Sequence, residues 1–178
     1  MTGLIHILML AGFLAPGGSG IAAWVKYAPQ APFPPRPIAE QIDLVLIDKS
    51  DRRMTLFSDG RPVKSYPVAL GYAPRRAKMQ EGDGRTPEGV YRIDRRNPKS
   101  AYHLSLGINY PLPEHRRLAR AAGVSPGGDI FIHGQPNRRK GMPALAGDWT
   151  AGCVAITDEA IEELWRVIPT GTDVVIRP

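Results

Sequence analysis

The segment from Asp43 to Gly71 alternates apolar and polar side chains in short runs, and this pattern restricts the fold more than any other feature. Turn-forming residues interrupt the runs at Lys49 to Asp51 and again at Asp59 and Gly60. A period of two places the apolar side chains on one face of a strand, whereas a helix needs a period of 3.6 residues. The segment therefore predicts a meander of short strands.

The strand pattern returns later in the chain. The segments EGVYRIDRR and YHLSLGI both carry it, with Asn97-Pro98 expected to break the first and Tyr110-Pro111 the second. Three more short strands are predicted for DIFIHG, AGCVAI and TDVVIR. Strands therefore dominate the predicted fold.

Two segments predict helices. The first extends from Glu114 to Ala122, between Pro113 and a stop at Gly123. The second begins after Thr157, whose hydroxyl is expected to cap it. Its apolar stripe comprises Ile161, Leu164, Trp165 and Ile168. The predicted class is α+β and mainly β.

Composition limits the classes of function. With 178 residues, 43% hydrophobic and 22% charged, the chain is expected to form one globular domain with a short additional segment. The net charge of +6 and the pI of 9.7 indicate an anionic partner, such as nucleic acid, a membrane surface or an acidic polymer of the bacterial wall. The basic residues are scattered and do not line one helix with interleaved aromatics, so nucleic acid is not the expected partner.

The first 25 residues predict export or anchoring. Gly3 to Val25 contains no charged side chain, and residues 4–25 suit a signal peptide, with small residues at 20–22 for cleavage, or a membrane anchor. No Lys or Arg precedes the apolar run, which leaves open a buried N-terminal helix of a soluble protein. Residues 26–37 are rich in proline and predict an extended tether, and residues 38–178 form the predicted folded domain.

The chain has a single cysteine, Cys153, which excludes an intramolecular disulfide and a multi-cysteine metal site. The four histidines lack the spacing of a zinc-binding helix, so a metal is not expected. A lone cysteine is usually a packing residue. Cys153 however follows Thr150 and Gly152, and His133 ends another predicted strand, so an imidazole is available as a base for the thiol.

His133-Gly134, followed after a loop by Thr150 to Val154, resembles the signature of the L,D-transpeptidase catalytic domain, the YkuD family. Gly82 to Ile93 resembles another segment of that family, and Asn97 to Pro111 resembles its YafK-like branch in particular. The resemblance extends from Asp43 to Arg177. It implies an L,D-transpeptidase-like β-sandwich with a few helices, and a cysteine acyltransferase that acts without a cofactor on peptidoglycan stem peptides. It also implies a location in the periplasm or cell envelope, where residues 4–25 would serve export or anchoring in the inner membrane.

The resemblance also implies roles for individual residues. Cys153 would be the nucleophile and His133 the general base, which later acts as the acid. Thr150 and Gly152 would shape the turn that holds the thiol. The backbone amides of Ala151, Gly152 and Cys153 are the candidate oxyanion donors.

This chain departs from the common family pattern at two positions. Ala151 stands where many members have a second histidine, and Ala155 where many have arginine or asparagine. The missing cation raises the question of how a substrate carboxylate would be bound. The candidates for the substrate pocket comprise Gly134, Arg85 and His103, with Arg138 and Arg139 as further cations.

Two other functions remain open from the sequence. The first is a hydrolase of the same chemistry, either an L,D-carboxypeptidase or an amidase that releases protein from the wall. The second is a non-catalytic wall-binding module, in which Cys153 only fills the core. The sequence does not indicate the oligomeric state.

Overall fold

The computed structural model describes residue 38 and residues 40–178. The apolar segment 1–25 and the proline-rich tether 26–37, predicted above, lie outside the described residues. Within the described part, neither helix is both long enough and apolar enough to cross a bilayer.

The described residues form a mainly β fold, which confirms the predicted class. The elements in chain order are β1 (Leu44–Asp48), β2 (Arg53–Ser58), β3 (Arg61–Pro67), β4 (Gly89–Ser100), β5 (His103–Ile108), α1 (Pro113–Ala121), β6 (Phe131–His133), β7 (Val154–Ala155), α2 (Asp158–Val167) and β8 (Asp173–Arg177). The first three strands are the predicted meander, and α1 and β8 lie within one residue of their predicted bounds.

The strands hydrogen-bond in the order β3-β2-β1-β8-β4-β5-β6-β7. The pairs β1 with β8 and β6 with β7 are parallel, and the other neighbours are antiparallel. The long strand β4 pairs with β8 through Gly89 to Arg92 and with β5 through its later residues. Isolated bridges from Ala69 to Ala155 and from Gly71 to Thr150 connect the segment after β3 to β7, so the two ends of the strand order meet.

Apolar side chains from both halves of this strand order form one core. Val45 and Ile47 of β1 are fully buried, as the alternating sequence pattern predicts. The helix α2 packs on β5 and β6 and buries Ile161 and Leu164 completely. Burying one such aliphatic side chain contributes about 1.5–3 kcal/mol. The core thereby fixes β6, which carries His133, against the helix.

The predicted cap of α2 is confirmed. The Ala160 amide donates a hydrogen bond to Thr157 Oγ1 at 3.2 Å, and Asp158 and Glu159 occupy the first turn. Carboxylates in this position interact favourably with the positive end of the helix dipole. The cap fixes the beginning of α2, shortly after the end of β7.

Two sequence predictions were wrong in detail. Asn97-Pro98 does not break β4, which continues to Ser100 with an irregular register between Asn97 and Ser100. The Asn97 side chain accepts a hydrogen bond from the Lys99 amide. This local bond takes the place of backbone hydrogen bonds between the strands, because the neighbouring Pro98 has no N–H to donate. The predicted strand AGCVAI is reduced to Val154–Ala155, because the residues before it form a hydrogen-bonded turn.

Candidate active site

His133 is the last residue of β6, and Cys153 directly precedes β7, the strand that runs parallel to β6. Ile132 pairs with Val154, and His133 pairs with Ala155. Cys153 directly precedes Val154 and is level with Phe131, two residues from the level of His133. Side chains alternate along a strand, so the register assigns His133 and Cys153 to the same face. A strand spacing of 4.8 Å and a rise of 3.3 Å per residue give a Cα separation of about 8 Å, which two side chains can bridge.

A hydrogen-bonded turn presents the cysteine. Thr150 Oγ1 donates to the Cys153 carbonyl at 2.7 Å and accepts from the Gly152 amide at 3.1 Å. Thr150 is itself fixed by backbone bonds, because its amide donates to Leu70 and its carbonyl accepts from Tyr72. Thr150 and Gly152 thus both take part in this turn, which is the place that the sequence predicts for them.

Gly152 is the residue in this turn that cannot carry a side chain. Its φ is +139°, a conformation that L residues rarely adopt, and a Cβ would lie 2.7 Å from the Arg85 carbonyl oxygen. The backbone of residue 85 therefore packs directly on the residue before Cys153. Close contact between these two loops sets the position of the thiol.

The His133 ring has a defined orientation. Its Nδ1 lies 2.7 Å from the Gly134 carbonyl oxygen, which can only accept, so Nδ1 carries the proton. Nε2 is then the unprotonated nitrogen with a free lone pair. The ring is 3% exposed, and this burial lowers the pKa of His133 below its ordinary value of 6.5. His133 is therefore held as a neutral base.

Gly134 allows the chain after His133 to pass close to α2. A Cβ on Gly134 would lie 2.5 Å from Asp158 Oδ1 and 3.0 Å from the Ile161 side chain. The chain after His133 thus passes close to the beginning of α2. Gly134 acts here as a packing residue, and a direct contact with substrate stays a prediction.

Two aromatic rings cover His133. The Tyr102 ring centroid lies 4.5 Å from that of His133, and the Trp149 centroid lies 5.8 Å away with a steep angle between the planes. The two aromatic rings are 6.0 Å from each other. Sequence analysis missed Tyr102, whose only signal was its place in the YHLSL segment. The rings exclude water from the base, which is the physical cause of its lowered pKa.

The thiol is also partly withdrawn from solvent. Cys153 Sγ donates to the Asp129 carbonyl at 3.4 Å. Burial raises the pKa of Cys153 above its ordinary value of 9.0, and the Asp129 carboxylate raises it further. A backbone hydrogen bond from Phe131 and, more weakly, the charges of Lys78 and Arg95 act in the opposite direction. The thiol and the imidazole are therefore both neutral in the resting protein, and they do not form a preformed ion pair.

Arg95 reaches the cysteine side of the site across a glycine. Arg95 pairs with Gly107 on β5, and Gly107 pairs with Phe131 on β6. The guanidinium carbon lies 4.6 Å from the Phe131 ring centroid, and Arg95 also forms a 3.0 Å ion pair with Asp129. A Cβ on Gly107 would come within 2.6 Å of Arg95 Cγ, so glycine makes this crossing possible.

Lys78 is the other cation near the thiol. It is 5% exposed and forms a 3.0 Å ion pair with Asp83. Burial alone would raise the pKa of Asp83, but the amides of Met79 and Gln80, together with Lys78, hold that pKa at about 2. Sequence analysis missed both Lys78 and Arg95, because each approaches Cys153 only through tertiary contacts.

The other predicted pocket residues differ in their surroundings. The Arg85 guanidinium forms no hydrogen bond or ion pair within the described chain, whereas its carbonyl faces Gly152. His103 Nε2 lies 2.8 Å from Glu162 Oε1, so α2 holds this ring. Substrate contacts by Arg85 and His103 stay predictions.

The candidate oxyanion donors also differ. The Gly152 amide is occupied by Thr150 Oγ1. In the described structure the amides of Ala151 and Cys153 donate no hydrogen bond to another residue. These two amides are therefore the unoccupied ones of the three, and their role as oxyanion donors stays a prediction.

We expect the pH dependence of alkylation to report the state of the thiol. Because the pKa of Cys153 is raised, the reaction with iodoacetamide should be slower at pH 7 than that of a small free thiol, and its rate should rise with a midpoint above 9.0. The single cysteine makes the mass increase unambiguous. A rate that already reaches its plateau at pH 6–7 would instead mean a thiolate paired with an imidazolium.

The fold is that of a known class of proteins. The chain belongs to the YkuD family of L,D-transpeptidase catalytic domains, whose model matches residues 42–176. A curated relative is the Escherichia coli K12 protein described as "Putative L,D-transpeptidase YafK", which is 27% identical over 98% of this chain and 63% of its own length. The chain thus spans less than two thirds of that relative.

Solved structures agree with the family. The helical cell shape determining protein Pgp2 of Campylobacter jejuni is 25% identical with a TM-score of 0.59, over 78% of this chain and 48% of that chain. Bd1075 of Bdellovibrio bacteriovorus is 26% identical with a TM-score of 0.56, over 78% and 49%. An L,D-transpeptidase of Xylanimonas cellulosilytica shares the fold at 19% identity, with a TM-score of 0.52 over 90% and 70%.

Proposed function

We propose that this protein is a cysteine acyltransferase that acts on peptidoglycan stem peptides, with Cys153 as nucleophile and His133 as base. One observation carries the proposal: His133 Nδ1 is committed to the Gly134 carbonyl, which leaves Nε2 free on the strand next to Cys153. A nucleophile, an adjacent base and a group that orients the base are the parts that covalent catalysis needs.

The neutral resting pair defines the first step. As Sγ attacks the carbonyl carbon of the stem peptide, Nε2 accepts the thiol proton, and the carbonyl π electrons move to oxygen. The amides of Ala151 and Cys153 stabilise this oxyanion, and each donor of this kind contributes about 10²–10³ in rate. Protonation of His133 in a buried site is unfavourable, so the intermediate with a protonated His133 and an oxyanion is short-lived.

The tetrahedral intermediate then collapses. The C–N bond breaks, protonated His133 donates its proton to the departing amine of the D-amino acid, and an acyl thioester remains on Cys153. In the second half of the reaction an amine of another stem peptide attacks the thioester carbonyl and gives its proton to His133. The C–S bond then breaks, and His133 returns the proton to Cys153 Sγ. Water in place of the amine gives hydrolysis.

The relatives and the charge support a role in the cell envelope. YafK is described as a "Putative L,D-transpeptidase", and Pgp2 is described as a helical cell shape determining protein. The net charge of +6 suits a polymer that carries carboxylates. We propose a location in the periplasm or envelope, with residues 1–25 acting as a signal peptide or membrane anchor.

The decisive experiment is intact-protein mass spectrometry after exposure to a carbapenem. The Cys153 thiol, which gives its proton to His133 as it attacks, opens the strained β-lactam amide and retains the acyl group as a thioester. We expect one adduct per chain on the wild type and none on Cys153→Ala. No adduct on the wild type, or an adduct on both proteins, would contradict the proposal.

Incubation with sacculi then distinguishes transfer from hydrolysis. New 3→3 crosslinks among the muropeptides would mean that an amine resolves the thioester. Shortened stems, or released wall-attached protein, would mean that water does. The Cys153→Ala variant should produce neither, and full activity of that variant would leave only a role in packing for the cysteine.

A further inference from the structure

A cavity of about 380 Å³ opens beside the two rings that cover His133. Its lining residues are Ala101, Tyr102, Pro136, Asn137, Arg138 and Trp149. Tyr102 and Trp149 contact the imidazole and also form walls of the cavity. The cavity and the imidazole of His133 therefore share two aromatic walls.

The polar groups of this cavity favour an anion. Arg138 is exposed, and its guanidinium makes no hydrogen bond or ion pair with any residue that the structure describes. The Asn137 amide group is already used, since it accepts from the His103 amide and donates to the Ser100 carbonyl. Trp149 Nε1 is buried and has no partner within the described chain.

The cavity thus contains one unpaired cation and no carboxylate among its lining residues. Its other walls are aromatic, aliphatic or neutral. A guanidinium binds a carboxylate through two parallel hydrogen bonds, and apolar walls strengthen that interaction by excluding water. A small ligand with a carboxylate and an aliphatic side chain fits these features.

The chemistry of the proposed reaction places a small ligand with a carboxylate near His133. His133 protonates the nitrogen of the departing D-amino acid, so this nitrogen lies next to Nε2. The carboxylate carbon is two bonds from that nitrogen, about 2.5 Å away. The carboxylate of the leaving group must consequently lie on the His133 side of the site.

We propose that this cavity binds the departing D-amino acid and that Arg138 binds its carboxylate. This inference rests on the proposed function, because it assigns the leaving-group side of that site. Tyr102 and Trp149 would contact the aliphatic part of the same residue.

The test uses two stem tetrapeptides that differ only at the C-terminus, one with a free carboxylate and one with a carboxamide. Release of the terminal D-amino acid or its amide is followed by chromatography with the full chain. We expect the wild type to prefer the free acid in kcat/KM by about tenfold, as a charge-assisted hydrogen bond allows. Arg138→Gln should reduce the ratio of the two kcat/KM values to near one, because it should slow only the reaction of the tetrapeptide with the free carboxylate.

Lys140→Gln is the matched control, since it removes the same charge two residues away from a side chain that does not line the cavity. It should retain the preference of the wild type. The inference is overturned if the wild type does not discriminate between the substrates. It is also overturned if Arg138→Gln keeps the preference or slows both substrates equally.

The carbapenem adduct separates this failure from failure of the proposed function. If Arg138→Gln and the wild type both form the adduct but show the same substrate preference, only the assignment of Arg138 is wrong. If the wild type forms no adduct and releases no D-amino acid, the proposed acyl transfer itself is wrong.

Discussion

Replacing His133 by glutamine is expected to lower kcat/KM for stem-peptide turnover by about 10²–10⁴-fold, the usual contribution of a general base. Glutamine can still donate a hydrogen bond to the Gly134 carbonyl but cannot accept the proton of the Cys153 thiol. The measurement is initial-rate kinetics with a defined stem peptide, together with the melting temperature to confirm folding.

His115→Gln is the matched control for loss of an imidazole. His115 lies on α1, where Nδ1 accepts the Leu112 amide and Nε2 lies 3.4 Å from the Tyr91 hydroxyl. Its replacement should leave turnover within a few-fold of the wild type. If His133→Gln behaved as His115→Gln does, His133 would not be the base.

The pH profile gives a second view of the same group. Because burial lowers the pKa of His133, the base remains unprotonated below its ordinary value of 6.5. The acidic limb of kcat/KM should therefore lie below pH 6.5, and activity should be lost only as the pH falls through this lowered pKa. An acidic limb above 6.5 would show that the imidazole is stabilised as a cation in the free enzyme.

Replacing Gly152 by alanine is expected to reduce both stability and turnover. A Cβ would lie 2.7 Å from the Arg85 carbonyl oxygen, and a residue with φ of +139° costs about 1–3 kcal/mol of strain. The turn must shift to relieve this contact and will move the thiol away from His133. A displacement of about 1 Å can cost about 10²-fold in rate.

Gly141→Ala is the control that separates the effect of backbone strain from the effect of the steric contact with Arg85. Gly141 also has a positive φ, of +77°, but a Cβ there meets nothing within 4 Å. We expect a modest loss of unfolding free energy, measured by urea denaturation, with turnover nearly unchanged. Equal effects of the two substitutions on turnover would show that the contact between Gly152 and Arg85 does not position the nucleophile.

Local sequence patterns predicted much of the fold. Alternation from Asp43 to Gly71 predicted the first three strands, and the Thr157 cap predicted where α2 begins. Both features depend on neighbours in the chain, so the sequence contains them directly. Asn97-Pro98 misled the prediction because pairing of β4 with β5 outweighs a local tendency to break the strand.

The family was also accessible from sequence, since His133-Gly134 and Thr150 to Val154 form recognisable motifs, and the same motifs supplied the pair of residues proposed here for catalysis. The surroundings of those residues were not. Tyr102, Lys78 and Arg95 are distant in sequence from both residues and reach the site only through strand pairing and loop packing.

The sequence by itself determined the strand-rich class, the L,D-transpeptidase resemblance and the identity of the thiol and the imidazole. Only the tertiary structure decided their protonation. Burial by Tyr102 and Trp149 favours neutral His133, the Gly134 carbonyl selects the nitrogen that carries the proton, and burial of Cys153 keeps its thiol protonated. These effects depend on desolvation and on the direction of hydrogen bonds, which are properties of three-dimensional packing and not of residue order.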